Sequence, residues 1–181
     1  MIVHRLIQLA LAPGIVAHEF AHWLACALTG TRVHEVCWFR FGDPAGYVVH
    51  DRAASATAGV LIGFAPTLVN ALLGAFVAYR PATRLLTGAG WDWGDWALAW
   101  LGFSVALRAF PSRADAKAMW DAARSARFGL FKAIFVAPLW LLVQLLSLGA
   151  KLWLDAAFAL VVCLAAPALK LASEGRLKWP F

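Results

Sequence analysis

Apolar residues run almost unbroken through five stretches, at about 2–28, 54–79, 93–110, 128–148 and 151–171, with polar residues collected between them. A bilayer core about 30 Å thick needs roughly 20 apolar residues per helix, so each stretch crosses one or nearly does. The pattern predicts an all-α integral membrane protein with about five transmembrane helices in a single domain, residues 1–181. Only "LGAK" separates the last two stretches, which predicts a tight helical hairpin. The run after Arg5 begins like a signal peptide but continues to about Leu28 without a small-residue cleavage site, so it is read as a retained span.

The connections carry patterns of their own. In "TRVHEVCWFRFGDPAGYVVHDR", β-favouring residues flank Gly42, Asp43, Pro44 and Gly46, which predicts a short β-hairpin-like connection over 32–50. Backbone this apolar and non-helical belongs against protein or at the membrane edge, since lipid cannot satisfy its polar groups. The stretch "SRADAKAMWDAARSARF" is charged on one side and carries Met119 and Trp120 on another, predicting an interfacial helix at about 112–127.

Composition supports the membrane reading: 62% of residues are hydrophobic and 14% charged, against about 25% charged in soluble domains. The net charge of +6 raises nucleic acid as a partner, but the basic residues lie in the connections, so no nucleic acid is expected. Arg32, Arg40 and Arg52 fall in the first connection, Arg113, Lys117, Arg124 and Arg127 in the third, and Lys170, Arg176 and Lys178 in the tail. The other side holds Arg5, Arg80, Arg84 and Lys151. The positive-inside rule then places the N-terminus outside and the C-terminus in the cytoplasm. Cys26, Cys37 and Cys163 form no CxxC pair, which excludes a cysteine zinc site of that kind.

The polar exception inside the first apolar run is "AHEFAHW" at 17–23. His18 and His22 are four apart, so on a helix they project from one face and can share one metal ion. Glu19, beside them, is placed to take a proton from an attacking water. A carboxylate within a span costs about 3 kcal/mol to insert, so its presence reads as functional. From His22 to the end of the run is about 9 Å of helix, which sets the site below the cytoplasmic surface within reach of water.

HExxH in an early span, a hairpin-like connection, and then "GFAPTLVN" in the next span together resemble the site-2 protease family of intramembrane zinc metalloproteases. The similarity covers roughly residues 10 to 120. Pro66 and Asn70 match the family's Gly-Pro-x-x-Asn element, with Ala65 in place of the glycine. The resemblance implies Zn2+ as cofactor, Glu19 as catalytic residue and Asn70 as a substrate-binding residue; an interhelical hydrogen bond is the other reading of Asn70. It also fits a prokaryotic plasma membrane.

Family members take a third ligand from a Leu-Asp-Gly element, which this sequence lacks. At the corresponding distance stands "RAFPSRADA", with Asp115 just past the third span and Pro111 expected to bend the chain inward. Asp115 is the expected ligand beside His18 and His22, with His50 and Asp51 as competitors. The same Asp fits a Ser-x-x-Asp capping pattern behind Ser112. Arg108 is expected to snorkel, Asp92 and Asp95 to lie at the outer interface, and Asp155 to lie on the outer side, far from the metal.

The resemblance implies a membrane-embedded zinc endopeptidase that cuts peptide bonds in or near transmembrane segments of a protein or peptide substrate, within the lipid bilayer. The alternative is a non-catalytic zinc-binding membrane protein: structural, sensory or degenerate. The oligomeric state is not legible.

Overall fold

The computed structural model describes residues 2–110, 112–125 and 154–176, with isolated positions 134, 137, 138 and 141. The chain is mostly helical with one small antiparallel sheet. Its elements are α1 (Ile2–Ala10), α2 (Ala12–Leu28), β1 (Val33–Cys37), β2 (Tyr47–His50), α3 (Ala56–Leu86), α4 (Trp93–Leu107), α5 (Arg113–Ser125) and α6 (Leu154–Ser173). The expected span at about 128–148 and the expected bend at Pro111 lie outside the described residues.

The first apolar run is two helices rather than one, bent by 61° at Leu11. Pro13 has no N–H to continue the helical ladder. The Gly14 N–H is diverted to Ser104 Oγ at 3.1 Å, and the Ala10 carbonyl accepts from the Trp100 indole at 2.9 Å. The Gly14 N–H and the Ala10 carbonyl, both freed by the break, therefore find partners on α4. Hydropathy alone cannot register this, because the apolar run continues across the break.

Small residues let the helices approach closely. A Cβ on Gly14 would collide with the Ser104 carbonyl, and one on Gly74 or Gly102 would collide across the α3–α4 contact with Ala106 or Ala78. Gly59 and Gly63 do the same for α5: Ala122 sits against the first, and Met119, with no exposure at all, fills the notch of the second. This seat fixes where α5 lies, and with it Asp115. At the far end of α3, Arg80 and Arg84 pair with Asp92 and with the fully buried Asp95 at 2.7–3.8 Å, and Asp92 and Asp95 form the capping box of α4.

Among the described residues two helices, α3 and α6, are long and apolar enough to cross a membrane, and α1 with α2 makes a third if the bent pair is one span. At 15 residues, α4 is about 22 Å long, short of a bilayer core. Five spans are not found among the described residues. Their directions differ from expectation too. Phe110 and Phe158 meet with ring centroids 4.6 Å apart, Ala106 packs with Ala159, and Asp155 acts electrostatically on Arg108. Helix α6 therefore starts at the end of the bundle where α4 finishes, and the two run antiparallel. Strict alternation over five spans would have made them parallel and put Asp155 at the opposite end.

The hairpin pairs Val33 with His50, Glu35 with Val49, Val36 with Val48 and Cys37 with Tyr47, with an irregularity between Val33 and Glu35. It runs back alongside α2. Asp51 N–H bonds the Arg32 carbonyl just beyond that helix, while Gly46 packs on Glu19, and the Gly42 carbonyl accepts from Gln8 Nε2 at 2.6 Å. Phe20, Trp23 and Trp38 form an aromatic cluster on the outside of this contact.

Cross-linking tests the helix directions. With Cys26, Cys37 and Cys163 replaced by Ala, the pair Phe110→Cys and Phe158→Cys should cross-link efficiently with a short bis-thiol reagent. A parallel α4–α6 pair would hold these positions about 30 Å apart, the depth of a bilayer core, and would give no product.

Candidate metal centre

Helix α2 carries His18 and His22 one turn apart, with ring centroids at 4.9 Å. Each ring is fixed from behind by a backbone carbonyl. His18 Nδ1–H donates to Arg108 O at 2.8 Å, and His22 Nδ1–H donates to Ile62 O at 2.9 Å. These bonds select the tautomer with a lone pair on Nε2, the form in which histidine ligates metal. Both acceptors are available because of where they sit. Arg108 caps the C-terminus of α4, where carbonyls lack helical partners. Ile62 lies one helical turn before Pro66, which has no N–H to claim that carbonyl.

Both Nε2 atoms face one carboxylate. His22 Nε2 lies 3.3 Å from Asp115 Oδ1, and His18 Nε2 lies 3.7 Å from Asp115 Oδ2. In a tetrahedral zinc site with bonds of about 2.0–2.1 Å, ligand atoms sit roughly 3.3 Å apart, so these separations fit one ion between the three groups. Among the described residues this is the one cluster of His, Cys, Asp and Glu suited to a metal, its ligand atoms all within 4.8 Å of one another.

Asp115 serves two ends at once. Its Oδ2 accepts the Ser112 N–H at 2.7 Å while its own N–H donates to Ser112 Oγ at 3.1 Å, closing a capping box at the start of α5. The capping and ligand readings of this residue are compatible, because the cap orients one oxygen and leaves Oδ1 toward His22. Burial opposes ionisation of Asp115, but positive charge facing it from the histidines, carried by a proton on Nε2 or by a bound cation in its place, outweighs burial and holds its carboxyl well below the usual carboxylate range.

The competitors are placed elsewhere. Asp51 is exposed and pairs with His34 Nε2 at 2.7 Å on the outside of the hairpin, which lowers its pKa. His50 bonds the Asp51 carbonyl through Nδ1 at 2.7 Å and lines the same cavity as the histidines without joining their cluster.

Glu19, 8% exposed, lines that cavity beside His18 and His22, with the Gly46 backbone packed on its side chain. A side chain at Gly46 would strike Glu19 Cγ, so the turn needs glycine there for close approach. The cavity, about 960 Å³, is a groove floored by α2 and α3 and walled by β2 on one side and α5 on the other.

Asn70 is fully buried, and its Nδ2 donates to Arg108 O at 3.0 Å and to Gly14 O at 3.4 Å. The carbonyl that orients His18 is thus itself held by Asn70. Sequence reasoning found the residue but not this link, because the signal is a backbone atom of Arg108 that no residue type reveals.

Comparison with known protein families, with curated proteins and with solved structures finds no match.

Substituting Asn70→Leu should lower stability by about 1–2 kcal/mol, the net worth of the hydrogen bonds Asn70 makes to the Arg108 and Gly14 carbonyls. It should also weaken zinc binding by about tenfold through the loosened Arg108 carbonyl. Thermal unfolding and zinc titration measure the two effects. A variant with wild-type values in both would show that Asn70 does not position His18.

Proposed function

We propose that this protein is a membrane-embedded, zinc-dependent endopeptidase that cuts peptide bonds in or near transmembrane segments. The observation that carries the reading is the convergence of two Nε2 lone pairs and one carboxylate in an open groove, with Glu19 beside them. Structural zinc sites are closed by four protein ligands, whereas catalytic ones use three and leave a position free. Three ligand groups facing a groove fit the second kind.

His18, His22 and Asp115 would hold the ion, and zinc there would polarise a scissile carbonyl and lower the pKa of a water. The chain's own groups do the rest. The Arg108 and Ile62 carbonyls keep both imidazoles in the ligating tautomer. The Glu19 carboxylate takes the proton of the attacking water and returns it to the departing amine nitrogen. Packing of Gly46 over Glu19 shields that carboxylate from bulk solvent while leaving it on the groove.

The groove also suits an unwound substrate. On the hairpin side Gly46, Tyr47, Val48 and His50 line it. β1 occupies one edge of β2. An extended peptide can therefore add to β2 by main-chain hydrogen bonds, with its carbonyl brought to the metal. The two apolar helices able to cross a membrane support an embedded site.

Zinc content and cleavage of a model transmembrane substrate test the reading together. Glu19→Gln should keep zinc affinity and lose at least about 100-fold in cleavage rate, the weight of a general base. Asp115→Ala should lose at least about 100-fold in zinc affinity. Wild-type protein that binds zinc stoichiometrically and cleaves none of a panel of transmembrane substrates would favour the non-catalytic alternative.

A further inference from the structure

The groove continues past the metal centre to an end whose charge the proposed chemistry does not use. β2 and α5 form its two walls, and both can be followed in one direction. Just before β2, Gly46 lies against Glu19, and just after it Asp51 bonds the Arg32 carbonyl beyond the end of α2. On α5, Asp115 faces the histidines, while Ala122 seats against Gly59 near the start of α3. Both walls thus run from the metal toward the same end of the bundle. There they present Arg52 from the hairpin and Arg124 from α5, together with His50.

Neither arginine has an ion pair among the described residues. Arg124 lies over the Trp120 ring at 6.0 Å, which restrains its stem. Asp121 also lines the cavity, so the formal charge of these lining groups, Arg52, Arg124 and Asp121, is net positive. Between the metal centre and the arginines the lining includes small residues, Ala118 and Ala53 among them.

Resting on the peptidase reading above, we propose that Arg52 and Arg124 form a substrate subsite for a carboxylate side chain, an Asp or Glu of the bound peptide. The length of the groove sets its position. From Asp115, residues 121 to 124 lie about 9–14 Å along α5, which an extended peptide covers in roughly three to four residues. The preferred acidic residue is therefore three or four positions from the scissile bond. Guanidinium forks favour carboxylate geometry over other acceptors.

Binding can be read apart from cleavage by using Glu19→Gln protein loaded with zinc in detergent micelles. The probes are short fluorescent Ala/Leu peptides carrying one Asp, one Lys or neither, walked through successive positions. The expected result is one position at which Asp binds about fivefold tighter than Ala and Lys binds weaker, the preference shrinking in high salt. The double variant R52E/R124E should reverse the order at that same position, favouring Lys. Such a gain cannot come from misfolding. Equal affinity for Asp, Ala and Lys at every position would overturn the subsite. So would an Asp preference that survives the charge reversal. If the preference and its reversal are found while wild-type protein cleaves none of the peptides, the subsite stands and the peptidase reading falls.

Discussion

Two backbone carbonyls govern the site. Ile62 O and Arg108 O each hold an Nδ1–H of the histidine pair, and in doing so turn both Nε2 lone pairs toward Asp115. Rings free to rotate would offer a metal either nitrogen and would lose rotamer entropy on binding it. Rings fixed from behind present a formed site. The two carbonyls come from different helices, so the geometry of the pair depends on how α3 and α4 pack against α2.

That packing is set by residues with little or no side chain. Gly14 brings the start of α2 onto the Ser104 carbonyl, Gly74 and Gly102 bring α3 and α4 into contact, and Gly59 and Gly63 receive α5. Asn70 then ties the Gly14 and Arg108 carbonyls together from α3. Where the surroundings are apolar, helices gain little from excluding water between them, so close contact and buried hydrogen bonds carry the association. The place of Asp115 depends on the same device, since it reaches the histidines through the seating of Met119 and Ala122.

The candidate cluster was legible in the sequence and the architecture only partly. His18 and His22 at a spacing of four, with Glu19 between them, project from one helical face whatever the rest of the chain does. Asp115 was legible as a residue just past a span whose end should meet that of the first. The turn-rich "GDPAG" between β-favouring runs marked the hairpin. What the sequence hid were interactions carried by backbone atoms. The break at Leu11 depends on where the Gly14 N–H and the Ala10 carbonyl find partners, and neither changes the hydropathy of the run. The antiparallel course of α4 and α6 hid for a related reason: charge sorting assumes that each apolar stretch crosses once, and α4 is only 15 residues long. Asn70 was recognised as a candidate, but its link to His18 passes through a main-chain oxygen.

X-ray absorption at the zinc edge of the loaded protein tests the central claim most directly. The account predicts one zinc per chain with two imidazole nitrogens and oxygen ligands at about 2.0–2.1 Å, an oxygen from solvent among them, and loss of one nitrogen in His22→Ala. Sulfur in the first shell, or a shell closed by four protein ligands, would contradict it, as would a spectrum unchanged by His22→Ala.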